Sequence, residues 1–256
     1  MSSDGDRNFI RSLERGLAVL QVFSHEDPSL TLSETAARAG ITRATARRIL
    51  LTLERLGYVR SDGRRFSLTP RVLRLGYAYL SSLGLWQIAE PYMEQLADLT
   101  HESCSAATLD GTSLVYVARV PAKRVMTISL GVGSRLPAYP TSMGRVLLAD
   151  LPPSELDDYF RQATLERLAP GTLTDERLLR RLLEQVRQQG FALVDQELED
   201  GVRSIAVPVR GRDGRALAAL NVSGHAGRVT VEQLRVEFLP HLLHAAKLIG
   251  DEAARR

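Results

Sequence analysis

The side chains in this sequence that could do chemistry are mostly arginines, and the densest set lies in Thr42-Arg43-Ala44-Thr45-Ala46-Arg47-Arg48. Thr42 is placed to cap a helix that runs to Leu56 before Gly57. At about 100° per residue, Ala46, Ile49, Leu50, Leu53 and Leu56 gather on one side. Ala44, Arg47, Arg48, Leu51 and Arg55 are left on the other, with Arg43 at the flank. Guanidinium forks on an exposed helix face can pair with guanine edges in a DNA major groove, and small residues can approach thymine methyls. A solvated basic face would carry the same residues, so the continuation decides. Tyr58-Val59-Arg60 and Arg64-Arg65-Phe66-Ser67-Leu68 read as two short strands about Ser61-Asp62-Gly63. That hairpin is a wing. It sets Arg64 and Arg65 at its tip for phosphate or minor-groove contact, which positions a protein without choosing sequence.

Other constellations are weaker. The sequence has no nucleophile elbow, phosphate loop or zinc-protease pattern, so no catalytic residue and no cofactor is assigned. His241 and His244 stand one helical turn apart and could share a metal. No acidic or thiol ligand has fitting spacing, so two surface histidines and no metal is the simpler reading. The run Asp195-Gln196-Glu197-Leu198-Glu199-Asp200 reads as a solvated acidic edge. The single Cys104 cannot form an internal disulfide and reads as a buried strand thiol in a reducing compartment.

The elements that must hold these groups fall into two sets. Ile10, Leu13, Leu17 and Leu20 recur at helical spacing, with Arg11, Glu14 and Arg15 off the stripe. After a loop containing Pro28, Thr31-Leu32-Ser33-Glu34 matches a reciprocal capping box, so a short helix starts near Leu32 and ends at Gly40. Two helices separated by about three residues make a helix-turn-helix. Thr69-Pro70 then opens an apolar segment, read as a linker helix packed between domains or against a partner subunit. Beyond Gly84, Trp86 to His101 reads as a helix burying Ile88, Tyr92, Leu96 and Leu99. Ser105 to Leu109 and Leu114 to Val120 form a hairpin about Asp110-Gly111, with Val125 to Leu130 as a further strand. Val202 to Val209 and Leu217 to Ser223 form a second hairpin about Asp213-Gly214. Helices are expected near Met143 to Ala149, from Ser154, from Thr174 to Gln189, and after a capping box at Thr230 to Gln233. The fold class is α+β, with a winged helix-turn-helix over 1–69, a linker helix over 70–84 and an α/β domain over 85–256.

Composition agrees with that division. The chain has 256 residues, enough for two modest domains, and is 44% apolar and 25% charged, as soluble globular proteins are. Residues 1–75 hold thirteen arginines against eight acids, whereas the rest holds twenty Lys or Arg against twenty-two acids. The basic surplus thus lies where a phosphate-binding module would sit. No stretch approaches the roughly 18 apolar residues of a membrane span, and the polar start has no signal core, so no membrane contact and a cytoplasmic location are expected.

The chain resembles the IclR family of transcription regulators over nearly its full length. The matching residues are Ser12 to Leu17, Leu32-Ser33-Glu34, Thr42 to Arg48, Leu56-Gly57-Tyr58, Leu136-Pro137-Ala138, Thr141 to Arg145, Asp195 to Glu199, Gly201 and Arg203-Ser204. Leu68 to Leu73, Leu75-Gly76-Tyr77, Leu80-Ser81-Ser82 and Ile205 to Arg210 look like the branch that controls aromatic-acid breakdown through the β-ketoadipate pathway. The resemblance implies a GAF-like effector-binding domain, a homodimer made through the N-terminal domains and joined as a dimer of dimers in many members, and double-stranded promoter DNA as partner. It also implies a small aromatic or dicarboxylic acid as effector, of the protocatechuate, para-hydroxybenzoate or β-ketoadipate type. Carried over residue by residue, the effector pocket falls on Ser142, Met143, Ser204, Asn221 and Ser223; the last two share a strand face. A carboxylate in a dry pocket needs a cation, for which Arg203 and Arg119 are candidates, with Arg135 behind them. Two other readings stay open: an enzyme acting on a small acid, and a ligand-independent DNA-binding protein.

Overall fold

In the computed structural model of the chain, residues 8–24, 26–77, 85–122 and 130–255 are described. The chain divides into two units, Met1–Ser82 and Leu83–Arg256.

The first unit runs α1 (Arg11–Gln21), β1 (Ser29–Thr31), α2 (Leu32–Arg38), α3 (Arg43–Arg55), β2 (Val59–Ser61) and β3 (Arg65–Leu68). The expected capping box starts α2: Glu34 N donates to Thr31 Oγ1 at 3.3 Å, and Thr31 N donates to Glu34 Oε2 at 2.7 Å. Gly40 takes φ +63 in the turn to α3. β1 lies in a segment the sequence pattern marks as loop. Three residues are too few to show alternation, and they are strand only because β3 pairs with them, Leu30 against Phe66. The sheet order is β1-β3-β2, which completes a winged helix-turn-helix. Val19, Leu50, Leu53 and Val59 form its small core. The α1 stripe does not join that core: Ile10, Leu13 and Leu17 are 63%, 59% and 48% exposed. Of the expected linker helix, Pro70–Val72 is a 3-10 turn capped by Thr69, and residues 73–77 are helical. Its remainder, 78–84, lies outside the described residues.

The second unit contains α4 (Leu85–Thr100), β4 (Ser103–Asp110), β5 (Ser113–Val120), β6 (Arg135–Pro137), α5 (Ser142–Asp150), α6 (Pro153–Gln162), α7 (Glu176–Gln189), β7 (Ala192–Asp195), β8 (Val202–Arg210), β9 (Ala216–His225) and α8 (Leu239–Ala253). The strands form one antiparallel sheet in the order β6-β5-β4-β9-β8-β7. Both Asp-Gly turns appear where expected, with Gly111 at φ +60 and Gly214 at φ +77. The two hairpins join through β4 and β9. Val125 to 129, expected as a strand, lies outside the described residues; Leu130 is not in a strand, and β6 pairs with Ser113–Val115 of β5. β7, a short edge strand beside β8, is a further element that sequence alone does not signal.

Helices pack on both faces of this sheet. α5 and α7 share the larger core, in which Leu147, Leu148, Leu179 and Leu183 meet Ala107, Ala206 and Ala219 from the strands. α4 and α8 pack together on the other face. In α4, Ile88, Met93 and Leu96 are buried, but Leu99, expected inside, is 61% exposed. The capping box before α8 is present, with Gln233 N donating to Thr230 Oγ1 and Thr230 N to Gln233 Oε1, each at 3.0 Å.

Candidate functional site

In the first unit, the alternation along α3 decides which arginines face outward. Ala46 and Leu50 are fully buried, whereas Arg43, Ala44, Arg47 and Arg48 are exposed. Leu56, expected with the buried side, is 51% exposed because it is the C-cap residue where the helix gives way to Gly57. Thr42 caps the helix: its Oγ1 accepts from Thr45 N at 3.2 Å, and the two threonine hydroxyls are 2.9 Å apart. The wing turn is held by Asp62, whose Oδ1 accepts from Arg65 N at 2.7 Å and Arg64 N at 2.9 Å. Those two amides hold the Asp62 carboxyl below the usual carboxylate range. Gly63 turns the corner at φ +92, leaving Arg64 exposed. Arg65 departs from the sequence expectation. Its guanidinium reaches back to Ser29 O at 3.3 Å and to Glu34 at 3.5 Å, so it braces β1 against α2 instead of standing at the tip.

In the second unit, the strand register builds a polar lattice on one face of the sheet. Arg119 on β5 lies opposite Ser105 on β4, which lies opposite Asn221 on β9. Two residues along, Ser103 lies opposite Ser223, which lies opposite Ser204 on β8. Residues two apart share a face, so both rows point the same way. The N-terminus of α5 covers them: Ser142 Oγ and Ser204 Oγ are 2.8 Å apart. Gly144 lets the first turn of α5 lie against the loop that precedes it, since a Cβ there would stand 2.0 Å from the Ala138 carbonyl oxygen. Between helix and lattice lies a cavity of about 250 Å³. Its lining includes Arg119, Ser142, Met143, Ser204, Asn221 and Ser223, together with Tyr116, Leu136, Thr141, Val194, Leu198 and Glu199.

The electrostatics of the cavity follow from these contacts. Arg119 donates through Nη1 to Ser105 Oγ at 3.1 Å and through Nη2 to Ser103 Oγ at 3.4 Å, which fixes a cation at the cavity without neutralising it. Asn221 is 4% exposed and its Oδ1 has no hydrogen-bond partner among the described residues. Burial pushes the Tyr116 hydroxyl up, so it stays protonated. Cys104 points to the opposite face, and burial pushes its thiol up to about 12.

Two of the three candidate arginines are placed elsewhere. Arg203 precedes Ser204 on β8 and so faces away from the lattice. It forms a fork with Asp195 at 2.7 and 2.9 Å and donates to Val229 O at 2.6 Å. Arg135 pairs with exposed Asp110 at the sheet edge. The acidic run is a solvated edge only at Glu199 and Asp200, which are exposed, whereas Asp195 and Glu197 are paired. Arg145, 1% exposed on α5, donates Nη1 to Glu197 Oε1 at 2.6 Å, Nη2 to Glu197 Oε2 at 2.5 Å and Nε to Tyr139 O at 2.8 Å. Leu173 N and Thr172 Oγ1 add bonds to Glu197 at 3.1 and 2.6 Å. This buried clamp fixes the segment that carries Leu198 and Glu199 to the cavity, a role that spacing alone does not announce. Among the described residues no group of His, Cys, Asp and Glu is arranged to hold a metal ion, and no helix is long and apolar enough to cross a membrane.

Comparison with known proteins gives this geometry a lineage. The family model for the IclR helix-turn-helix domain matches residues 12–63, and that for the C-terminal domain of bacterial transcriptional regulator IclR matches residues 77–250. The Pca regulon regulatory protein of Pseudomonas putida is 49% identical over 95% of this chain and 84% of its own length. Among solved structures, a transcriptional regulator from Rhodococcus sp. RHA1 is 48% identical, with a TM-score of 0.85 over 96% of this chain and 99% of that one. An IclR homologue from Microbacterium hydrocarbonoxydans, solved with 4-hydroxybenzoate, has a TM-score of 0.85 at 27% identity over 96% of this chain and all of that one. With both its DNA-reading unit and its cavity-bearing unit matched, the chain belongs to the IclR family of bacterial transcriptional regulators.

Proposed function

We propose that this regulator reads promoter DNA through α3 and the wing, and that a small hydroxylated aromatic acid in the β4/β5/β9 cavity controls it. The observation that carries the effector reading is the row Arg119-Ser105-Asn221, which offers a fixed cation at one end and an unpaired buried carbonyl at the other. Two strand spacings of about 4.8 Å separate the two backbones, and the Arg119 side chain already reaches over the serines of the strand between them. One benzene ring with a carboxylate on one side and a hydroxyl on the other is therefore the size of bridge that this row admits. The homologue solved with 4-hydroxybenzoate supports the same ligand class. Arg119 takes the carboxylate, the Asn221 amide turns its buried Oδ1 toward the cavity to accept from the ring hydroxyl, and Ser142, Met143, Ser204 and Ser223 complete the wall.

On the DNA side, Thr42, Arg43, Ala44, Thr45, Arg47 and Arg48 form the DNA-contacting face of α3, with Arg47 at the base edges, and Arg64 contacts phosphate. The exposed stripe of Ile10, Leu13 and Leu17, with Phe9 at 53%, supports a homodimer through α1 that presents two such faces. The protein works as a cytoplasmic regulator and not as an enzyme. Calorimetry and thermal shift on the full chain with 4-hydroxybenzoate, protocatechuate and β-ketoadipate test the reading. At least one hydroxybenzoate binds, raises the melting temperature by mass action and changes DNA affinity, and Arg119→Gln removes the binding. Hydroxybenzoate binding that survives Arg119→Gln unchanged would move the carboxylate site elsewhere.

A further inference from the structure

α1 and α3 enclose a second cavity, a groove of about 360 Å³ within the first unit. Its floor is apolar, with Ile49 and Leu53, and its rim carries Ser12, Arg15, Thr45, Arg48 and Thr52. Among the described residues no acidic one lines it. Thr52 Oγ1 donates to Arg48 O at 2.8 Å, and the Thr45 hydroxyl lies against Thr42, so two guanidiniums and the Ser12 hydroxyl are the donors that face an incoming ligand. Among the described residues Arg15 and Arg48 have no ion-pair partner, and both are exposed. Two neighbouring arginines without an acid form an anion site, and a guanidinium fork suits the tetrahedral oxygens of phosphate.

The position of the groove selects the anion. A helix with its side chains is about 10–12 Å across, and the DNA major groove is about 12 Å wide. A recognition helix therefore fills the groove wall to wall, and its flanks face the two phosphate backbones. Arg48 lies about 100° round from Arg47, on the flank of α3 that meets α1. Arg15 lies about 200° round α1 from both Leu13 and Leu17, so an interface on the apolar stripe leaves the groove open. We propose that one backbone phosphate of the duplex seats in this α1–α3 groove between Arg15 and Arg48, making α1 part of the DNA-binding surface. This rests on the DNA-reading role of α3 given above.

The test measures salt dependence by fluorescence anisotropy, with the full chain on two duplexes: one of mixed sequence, and one enriched by the wild-type protein from a random pool. Arg15→Ala lowers affinity several-fold and about equally on both. It also reduces the slope of log K against log salt by about 0.9 per protomer, the signature of one lost phosphate contact. Arg15→Lys keeps the slope. Arg47→Ala instead narrows the preference between the two duplexes. If Arg47→Ala erases the preference while Arg15→Ala, with an unchanged melting curve, keeps the wild-type slope, the groove is not a phosphate site and the reading face stands. If neither variant alters binding, the reading face itself falls, and the groove with it.

Discussion

Asn221 offers the sharpest test of how the cavity chooses its ligand. Its side chain is 4% exposed, yet Oδ1 has no donor among the described residues. A buried polar atom left unpaired costs about 1–3 kcal/mol, and a ligand hydroxyl that donates to it recovers that cost. Wild-type protein should therefore bind 4-hydroxybenzoate more tightly than benzoate by about 1–3 kcal/mol, or about 5- to 150-fold. Asn221→Leu replaces the amide by an apolar group of similar size and removes the unpaired atom. Benzoate should then bind as well as or better than before, and 4-hydroxybenzoate should lose its advantage. Four calorimetric titrations close a cycle over protein and ligand, so the coupling is separated from general damage to the site. A coupling of the size of the cost above supports the assignment. A hydroxyl preference retained within about 0.5 kcal/mol in Asn221→Leu refutes it, and would point to another acceptor on the cavity wall, Glu199 first.

Three further expectations follow from single contacts. Glu197→Gln or Arg145→Met leaves half of a buried ion pair behind, which costs about 3–5 kcal/mol; denaturant melts should show that loss, together with weaker effector binding through the loosened Leu198-Glu199 wall. Asp195 is held below the usual carboxylate range chiefly by Arg203. The stability it contributes is therefore present above the unfolded-state value near 4 and is lost as pH falls through the lower folded value; Asp195→Asn should flatten the acid limb of a stability-against-pH curve, and an unchanged limb would count against the pair. Cys104 is fully buried with its thiol pushed up to about 12, so Ellman's reagent should leave the native protein unlabelled at neutral pH and titrate one thiol after unfolding.

The fold was most legible where a local rule decides it. Thr31 and Glu34 must satisfy each other's amides wherever the chain goes, and Asp110-Gly111 and Asp213-Gly214 supply left-handed glycines that tight hairpins require. β1 and β7 were not legible, because strands of three and four residues exist only through their partners. The α1 stripe was visible as amphipathic, but periodicity cannot say whether an apolar face meets its own core or another surface.

The cavity separates these two kinds of information. That Asn221 and Ser223 share a face follows from strand parity alone. Strand parity with Ser204 likewise turns Arg203 away from the pocket. Whether Arg119 joins Asn221 depends on register instead, and the register of β4 with β5 shifts at a bulge between Ala106 and Ala107 that counting along the strand cannot anticipate. The acidic run is a parallel case. Asp195 and Glu197 read as surface charges because their partners, eight residues ahead at Arg203 and fifty-two behind at Arg145, are fixed only by the fold. Both results have one cause: a charge in this domain gains its role from the element packed against it. Arg119, whose partners among the described residues are neutral hydroxyls, thereby keeps its charge available to an anion in the cavity.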